Sequence, residues 1–146
     1  MTTPSAPSFK RIVVAVTGLT PQIVTETLYA LACRDADPWI PHEVHLITTA
    51  TGAENARLNL LHDEKNGWFH RLRRDYDLPE IAFPVKNIHV LKDAAGAPLD
   101  DIRTQAQNAL AADFIMDKVR ELTKVPSHEL HVSIAGGRKT MGYYLG

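Results

Sequence analysis

Residues Ile12-Val13-Val14-Ala15-Val16 form an unbroken apolar, mostly β-branched run, the pattern of a strand buried on both faces. Thr17-Gly18-Leu19-Thr20-Pro21 breaks it. Thr20 is placed as an N-cap, Pro21 as a first helical residue, and Leu19 with Val24 as a hydrophobic staple. Ile23, Val24, Thr27, Leu28, Leu31 and Ala32 then recur on one helical face. The prediction is strand, tight loop, helix.

The unit repeats. Glu43-Val44-His45-Leu46-Ile47-Thr48 predicts a second strand, and Thr51-Gly52-Ala53-Glu54 has the spacing of a capping box that opens a helix carrying Ala56, Leu60 and Leu61. Residues 67–77 predict a further helical or irregular segment ended by Leu78-Pro79. Ile88 to Leu91 predicts a third strand, with a turn at Asp93-Ala94-Ala95-Gly96. A long helix is expected from Asp101 to Thr123, capped by Asp100-Asp101, with apolar positions at Ile102, Ala106, Leu110, Phe114 and Val119. Glu129 to Ala135 predicts a fourth strand, and Gly136-Gly137-Arg138-Lys139-Thr140 leads into a last helix. Strands alternating with helices imply an α/β fold: a Rossmann-like, mainly parallel sheet with helices on both faces. Met141, Tyr144 and Leu145 begin an amphipathic helix that the chain leaves unfinished at Gly146, so the C-terminus reads as truncated.

Composition narrows the class. The chain has 146 residues, with 16 Lys and Arg against 17 Asp and Glu, and a formal net charge of −1. That length suits one domain, over residues 9–146, preceded by a Thr/Pro/Ser-rich lead-in at 1–8 read as disordered. The charge balance excludes dependence on a large basic field but not a local basic site. The single cysteine, Cys33, excludes an intrachain disulfide and a cysteine-based zinc cage. No apolar run approaches a membrane span and no signal peptide is present, so a cytoplasmic location with no membrane contact is expected.

In an open parallel sheet, ligands bind beyond the carboxyl ends of the strands, and two loops there carry suitable chemistry. Thr17-Gly18-Leu19-Thr20-Pro21-Gln22 offers a glycine, two hydroxyls and an amide. Ser133-Ile134-Ala135-Gly136-Gly137-Arg138-Lys139-Thr140 offers paired glycines and two cations at a helix start. Amides, helix dipole and cations there act with one sign, which favours phosphate. Neither loop matches a standard template: the first lacks G-x-G-x-x-G, and Arg138 stands where a P-loop needs glycine.

Simpler readings compete. Thr20 could serve only as a helix cap, and Gly136-Gly137 only as a turn. Arg138 and Lys139 are harder to dismiss, because cations at a helix N-terminus oppose the dipole by roughly 0.3–1 kcal/mol each. Trp68-Phe69-His70-Arg71-Leu72-Arg73-Arg74 mixes aromatics and bases as nucleic-acid binders do. The simpler reading is a solvated helix face anchored by Trp68 and Leu72, with a flap over a ligand as another. The seven histidines show no H-E-x-x-H spacing, so no metal and no cofactor is expected.

Across both loops, in Val14-Ala15-Val16-Thr17-Gly18-Leu19-Thr20-Pro21-Gln22-Ile23-Val24-Thr25-Glu26-Thr27-Leu28 and Ser133-Ile134-Ala135-Gly136-Gly137-Arg138-Lys139-Thr140-Met141, the chain resembles the CRISPR-associated Rossmann-fold (CARF) domains of type III CRISPR systems. Pro98-Leu99-Asp100-Asp101-Ile102-Arg103-Thr104 also resembles the segment before the long helix in one subgroup. The resemblance implies a sensor for a cyclic oligoadenylate messenger, tetra- or hexa-adenylate, held across a homodimer interface in antiviral defence. It implies that Gly136, Gly137, Arg138, Lys139 and Thr140 grip phosphates and ribose hydroxyls. Thr17, Gly18, Thr20 and Gln22 would line the floor, and Thr48 and Thr49 would reach an adenine or ribose. A fused or associated effector domain, beyond residue 146, would be regulated by the bound messenger.

Some members of that family cleave the ring, which supplies a second reading as a ring nuclease. A ribose 2′-hydroxyl would attack the adjacent phosphate without a metal, leaving a 2′,3′-cyclic phosphate. Lys139 and Arg138 would stabilise the developing charge, with Thr17 or Thr20 orienting the hydroxyl.

Overall fold

The computed structural model describes residues 9–18, 21–34, 37–61 and 67–134. Four strands, β1 (Lys10–Val16), β2 (Glu43–Thr48), β3 (Ile88–Val90) and β4 (His128–Ile134), form one sheet in the order β3-β2-β1-β4. Every pairing is parallel. The helices are α1 (Gln22–Tyr29), α2 (Ala50–Ala56), α3 (Trp68–Asp75) and α4 (Gln105–Thr123). Both α1 and α2 run on into a π-helical turn, at Ala30–Arg34 and Arg57–Leu61. No helix among the described residues is long and apolar enough to cross a membrane.

The unbroken apolar run of β1 is explained by its place between β2 and β4. Val13 and Ala15 pack with Val24, Leu28, Ala56, Leu60 and Phe69, so α1, α2 and α3 cover one face. Ile12, Val14 and Val16 pack with Ala111 and Ile115, so α4 covers the other. All five residues from Ile12 to Val16 are fully buried, and each larger side chain contributes roughly 2 kcal/mol by leaving water.

Several element ends differ from the sequence expectation. The N-cap of α1 is Pro21, whose carbonyl accepts from Val24 N–H at 3.1 Å, and it has no side-chain cap. Helix α2 starts earlier than Thr51, because Thr49 is extended and its hydroxyl accepts from Gly52 N–H at 3.1 Å. Glu54 instead pairs with Arg57. Helix α4 is capped by Thr104 in a capping box with Gln107, not by Asp100-Asp101. Asp101 turns instead to Ile102 N–H and to the Arg103 side chain. The buried stripe of α4 is Ala111, Ala112 and Ile115, while Ala106 is exposed. Trp68 does not anchor α3: Phe69 does, and Trp68 is 55% exposed.

On the α4 side, β2 and β3 bring two histidines together. His45 Nδ1 lies 2.8 Å from His89 Nε2, with the rings parallel. Glu43 Oε1 stands 3.4 Å from His45 Nε2, and Glu43 Oε2 meets Lys10 Nζ at 2.9 Å. Burial, then the Lys118 and His45 charges, holds His89 down to about 4, with Glu121 opposing. Burial also lowers His45, against Glu43, which favours its charged form. For Glu43 itself burial pushes upward, but Lys10 and His45 outweigh it and its carboxyl sits below the usual value.

Because His89 titrates at about 4 when folded and near 6.5 when unfolded, the unfolded chain binds more protons between those values. Stability is therefore full above the unfolded value and falls as pH drops toward the folded one. We expect urea unfolding to show a loss of about 2 kcal/mol across that window, allowing for partial exposure of the ring. A His89→Phe variant should reduce that slope and leave the part that His45 contributes. The Glu43 contribution begins to be lost only below the ordinary glutamate value of 4.5, so it overlaps the window only at its acid end.

Candidate functional site

Strands β2 and β3 follow β1 on one side of the sheet, and β4 lies on its other side. Strand order thus reverses between β1 and β4, and a crevice opens beyond the carboxyl ends of strands at such a point. Val16, the last residue of β1, is the register partner of Ile134, the last of β4. Thr17-Gly18 leaves from the first, and residues 135–140 follow the second. A hydrogen bond from Thr27 Oγ1 to Ser133 Oγ, 3.0 Å, ties α1 to β4 just below this edge.

Thr17, Thr48 and Thr49 are all fully buried. Thr17 N–H donates to Ile47 C=O at 3.1 Å, continuing the β1–β2 ladder one step past the strand. Among the described residues the Thr17 and Thr48 hydroxyls have no hydrogen-bond partner. Unpaired buried hydroxyls cost free energy, so two at one edge need a reason. Thr49 is fully engaged: it caps α2 and donates from Oγ1 to Gly18 C=O at 2.5 Å. That bond fixes the first loop to the start of α2. Gly18 has open space where a Cβ would stand, and Gln22 is exposed at the first turn of α1.

Gly52, which in the sequence is only part of a capping pattern, is a close-packing position. A Cβ there would lie 1.9 Å from Thr48 Oγ1 and 3.1 Å from Gly18 C=O. Its missing side chain is what lets α2 approach the end of β2. The third loop also closes on this edge. Leu91 N–H donates to Thr48 C=O, and Ala50 N–H donates to Leu99 C=O, both at 2.8 Å. Leu99 and Ile102, from the segment ahead of α4, are buried.

Thr17, Gly18, Thr48 and Thr49 are therefore brought together, with Gln22 on the adjoining helix. Thr20 and the cluster Gly136, Gly137, Arg138, Lys139 and Thr140 lie outside the described residues. Both cations assigned to phosphate therefore lie outside them, and the site residues that are described are all neutral. Among the described residues no group of three or more His, Cys, Asp or Glu is arranged to hold a metal ion.

The family model of CRISPR-associated protein NE0113 matches residues 20–146. The chain belongs to the CRISPR-associated protein NE0113 family. No curated protein and no solved structure matches it. The NE0113 match spans Gln22, Thr48, Thr49, Gly52 and the glycine-paired loop, and begins after Thr17 and Gly18. A role in CRISPR systems and a Rossmann-like α/β fold thus come together in one chain.

The close approach at Gly52 gives a direct check. Gly52→Ala forces its methyl into Thr48 and should cost about 1–3 kcal/mol in urea unfolding. Removing the obstructing hydroxyl as well, in Gly52→Ala with Thr48→Ala, should recover part of that loss. An unchanged midpoint for the single variant would remove the packing account.

Proposed function

We propose that this chain is the sensor domain for a cyclic oligoadenylate messenger, bound across a homodimer and regulating an attached or associated effector. One observation carries the reading. Two loops of complementary chemistry leave neighbouring parallel strands where the strand order reverses. One is hydroxyl- and glycine-bearing after Val16; the other is cationic and glycine-paired after Ile134. A ring of phosphodiesters needs cations and amide donors set symmetrically, and a two-fold dimer doubles each loop.

On this reading Arg138 and Lys139 meet phosphate oxygens, and Gly136, Gly137 and Thr140 add amide and hydroxyl donors. Thr17, Gly18, Thr20 and Gln22 form the floor. The hydroxyls of Thr17 and Thr48, without a partner among the described residues, support it, since a bridging water would satisfy them. Thr49 acts as a positioning residue, holding Gly18 through its hydroxyl.

Calorimetric titration with cyclic tetra- and hexa-adenylate tests the proposal. Lys139→Ala should weaken binding at least about tenfold with the melting temperature unchanged, since charge-assisted phosphate contacts are the strong ones. Affinity within about twofold of the parent would exclude the loop from phosphate binding. Recovery of intact ring supports a sensor; linear product ending in a 2′,3′-cyclic phosphate replaces it with the ring-nuclease reading.

Thr17→Val separates ligand from fold. Loss of an unpartnered buried hydroxyl should leave stability unchanged or raise it by about 1 kcal/mol. Binding of the ring should nevertheless fall. A variant that loses stability would show that the hydroxyl already has a partner in the free protein.

A further inference from the structure

Helix α3 sits away from the carboxyl edge. Its end packs Tyr76 against Tyr29 at the end of α1, with ring centroids 5.5 Å apart, and the chain then reaches Ala82, which bridges Glu43 at the start of β2. Packing of α3 is supplied by Phe69, buried against Phe83, and by Leu72. The rest of the helix is not needed for the core. Its exposed positions are Arg71, Arg74 and Asp75, with His70 and Arg73 half-buried and Trp68, in the first turn, 55% exposed.

A solvated helix face accounts for part of this. Arg73 and Arg74 lie in the last turn, where cations favour the helix dipole. It does not account for Arg71, which is outside that turn, or for an indole left more than half in water. Arg71 is held over the Trp68 ring, its guanidinium carbon 4.6 Å from the centroid, so a flat π-surface and a cation form one unit. Along the same helix a cleft of about 480 Å³ is lined by His70, Arg73, Arg74, Asp77 and Leu78. Arg73 is fixed there by its bond to Pro79 C=O at 3.2 Å. Asp77 is the one carboxylate among the lining residues, against two arginines.

We propose that this face of α3 binds single-stranded nucleic acid, stacking a base on Trp68 and holding phosphates with Arg71 and the arginines of the cleft. Three arginines against Asp75 and Asp77 leave the face net positive, which favours a polyanion, and the exposed ring favours one that carries flat bases. An acidic peptide would satisfy the arginines but leave the indole unused. Stacking on an aromatic tolerates any base, so binding is expected with little sequence preference. The surface is independent of the messenger site and stands or falls without it.

The test is fluorescence anisotropy with a labelled oligouridylate about twelve nucleotides long. Binding should weaken roughly tenfold or more between about 50 mM and about 200 mM salt, as for some three neutralised phosphates. Trp68→Leu should weaken it at least about fivefold while Trp68→Phe retains most of it, and Arg71→Gln should lower both affinity and salt dependence. Lys139→Ala should leave it unchanged. Thermal melting checks that each exposed substitution leaves the fold intact. The proposal is overturned if the oligonucleotide does not bind at low salt, or if Trp68→Leu and Arg71→Gln bind as the parent does. It is also overturned if polyglutamate competes as well as the oligonucleotide, which would assign the face to an acidic protein.

Discussion

The double-sided pairing of β1 is the constraint on which the rest depends. A strand hydrogen-bonded on both edges and covered on both faces must be apolar throughout, and Ile12 to Val16 is. With β2 on one side and β4 on the other, the chain runs outward from β1 through β2 to β3 and then crosses back through α4 to β4. That reversal puts α1, α2 and α3 on one face and α4 on the other, and opens the edge between Val16 and Ile134. The candidate site is thus a consequence of strand order before it is a matter of any side chain.

The strands were the most legible part of the sequence, because continuous burial writes itself as continuous hydrophobicity. Helix starts were less so. Thr51 and Glu54 imitate a capping box, but β2 runs to Thr48, so the turn into α2 has to begin at once and Thr49 takes the cap. Asp100-Asp101 draws attention as a cap, yet Thr104 and Gln107 have the reciprocal spacing that satisfies two amides together. In α3 the spacing of Phe69 and Leu72 marks the inward stripe, and reading Trp68 with Leu72 as the anchor chose the larger ring over the better phase.

The candidate site divides the same way. Residue types that favour phosphate are visible locally, and so is the likeness of the two loops to a family. What packs beneath them is not. That Thr49 reaches Gly18, or that Gly52 leaves room for the Gly18 carbonyl, depends on two loops some thirty residues apart meeting at one edge. The His45–His89 pair is hidden for the same reason: it exists only because β2 and β3 are neighbours in register.

The described part of the rim is built from backbone amides and threonines, not from charges, and this has a physical consequence. Thr49 joins Gly18 to α2, Leu91 joins β3 to Thr48, and Leu99 joins the segment ahead of α4 to Ala50. Three connections are thereby held to the end of one strand by short hydrogen bonds in a buried setting, where such bonds are strong. A floor fixed in this way has little ordering entropy left to lose when a ligand arrives. On the proposed reading, affinity comes from the cationic loop that follows β4, with the threonine floor setting where the ring lies. Binding strength and ligand placement would reside in different elements, and a change in one need not disturb the other.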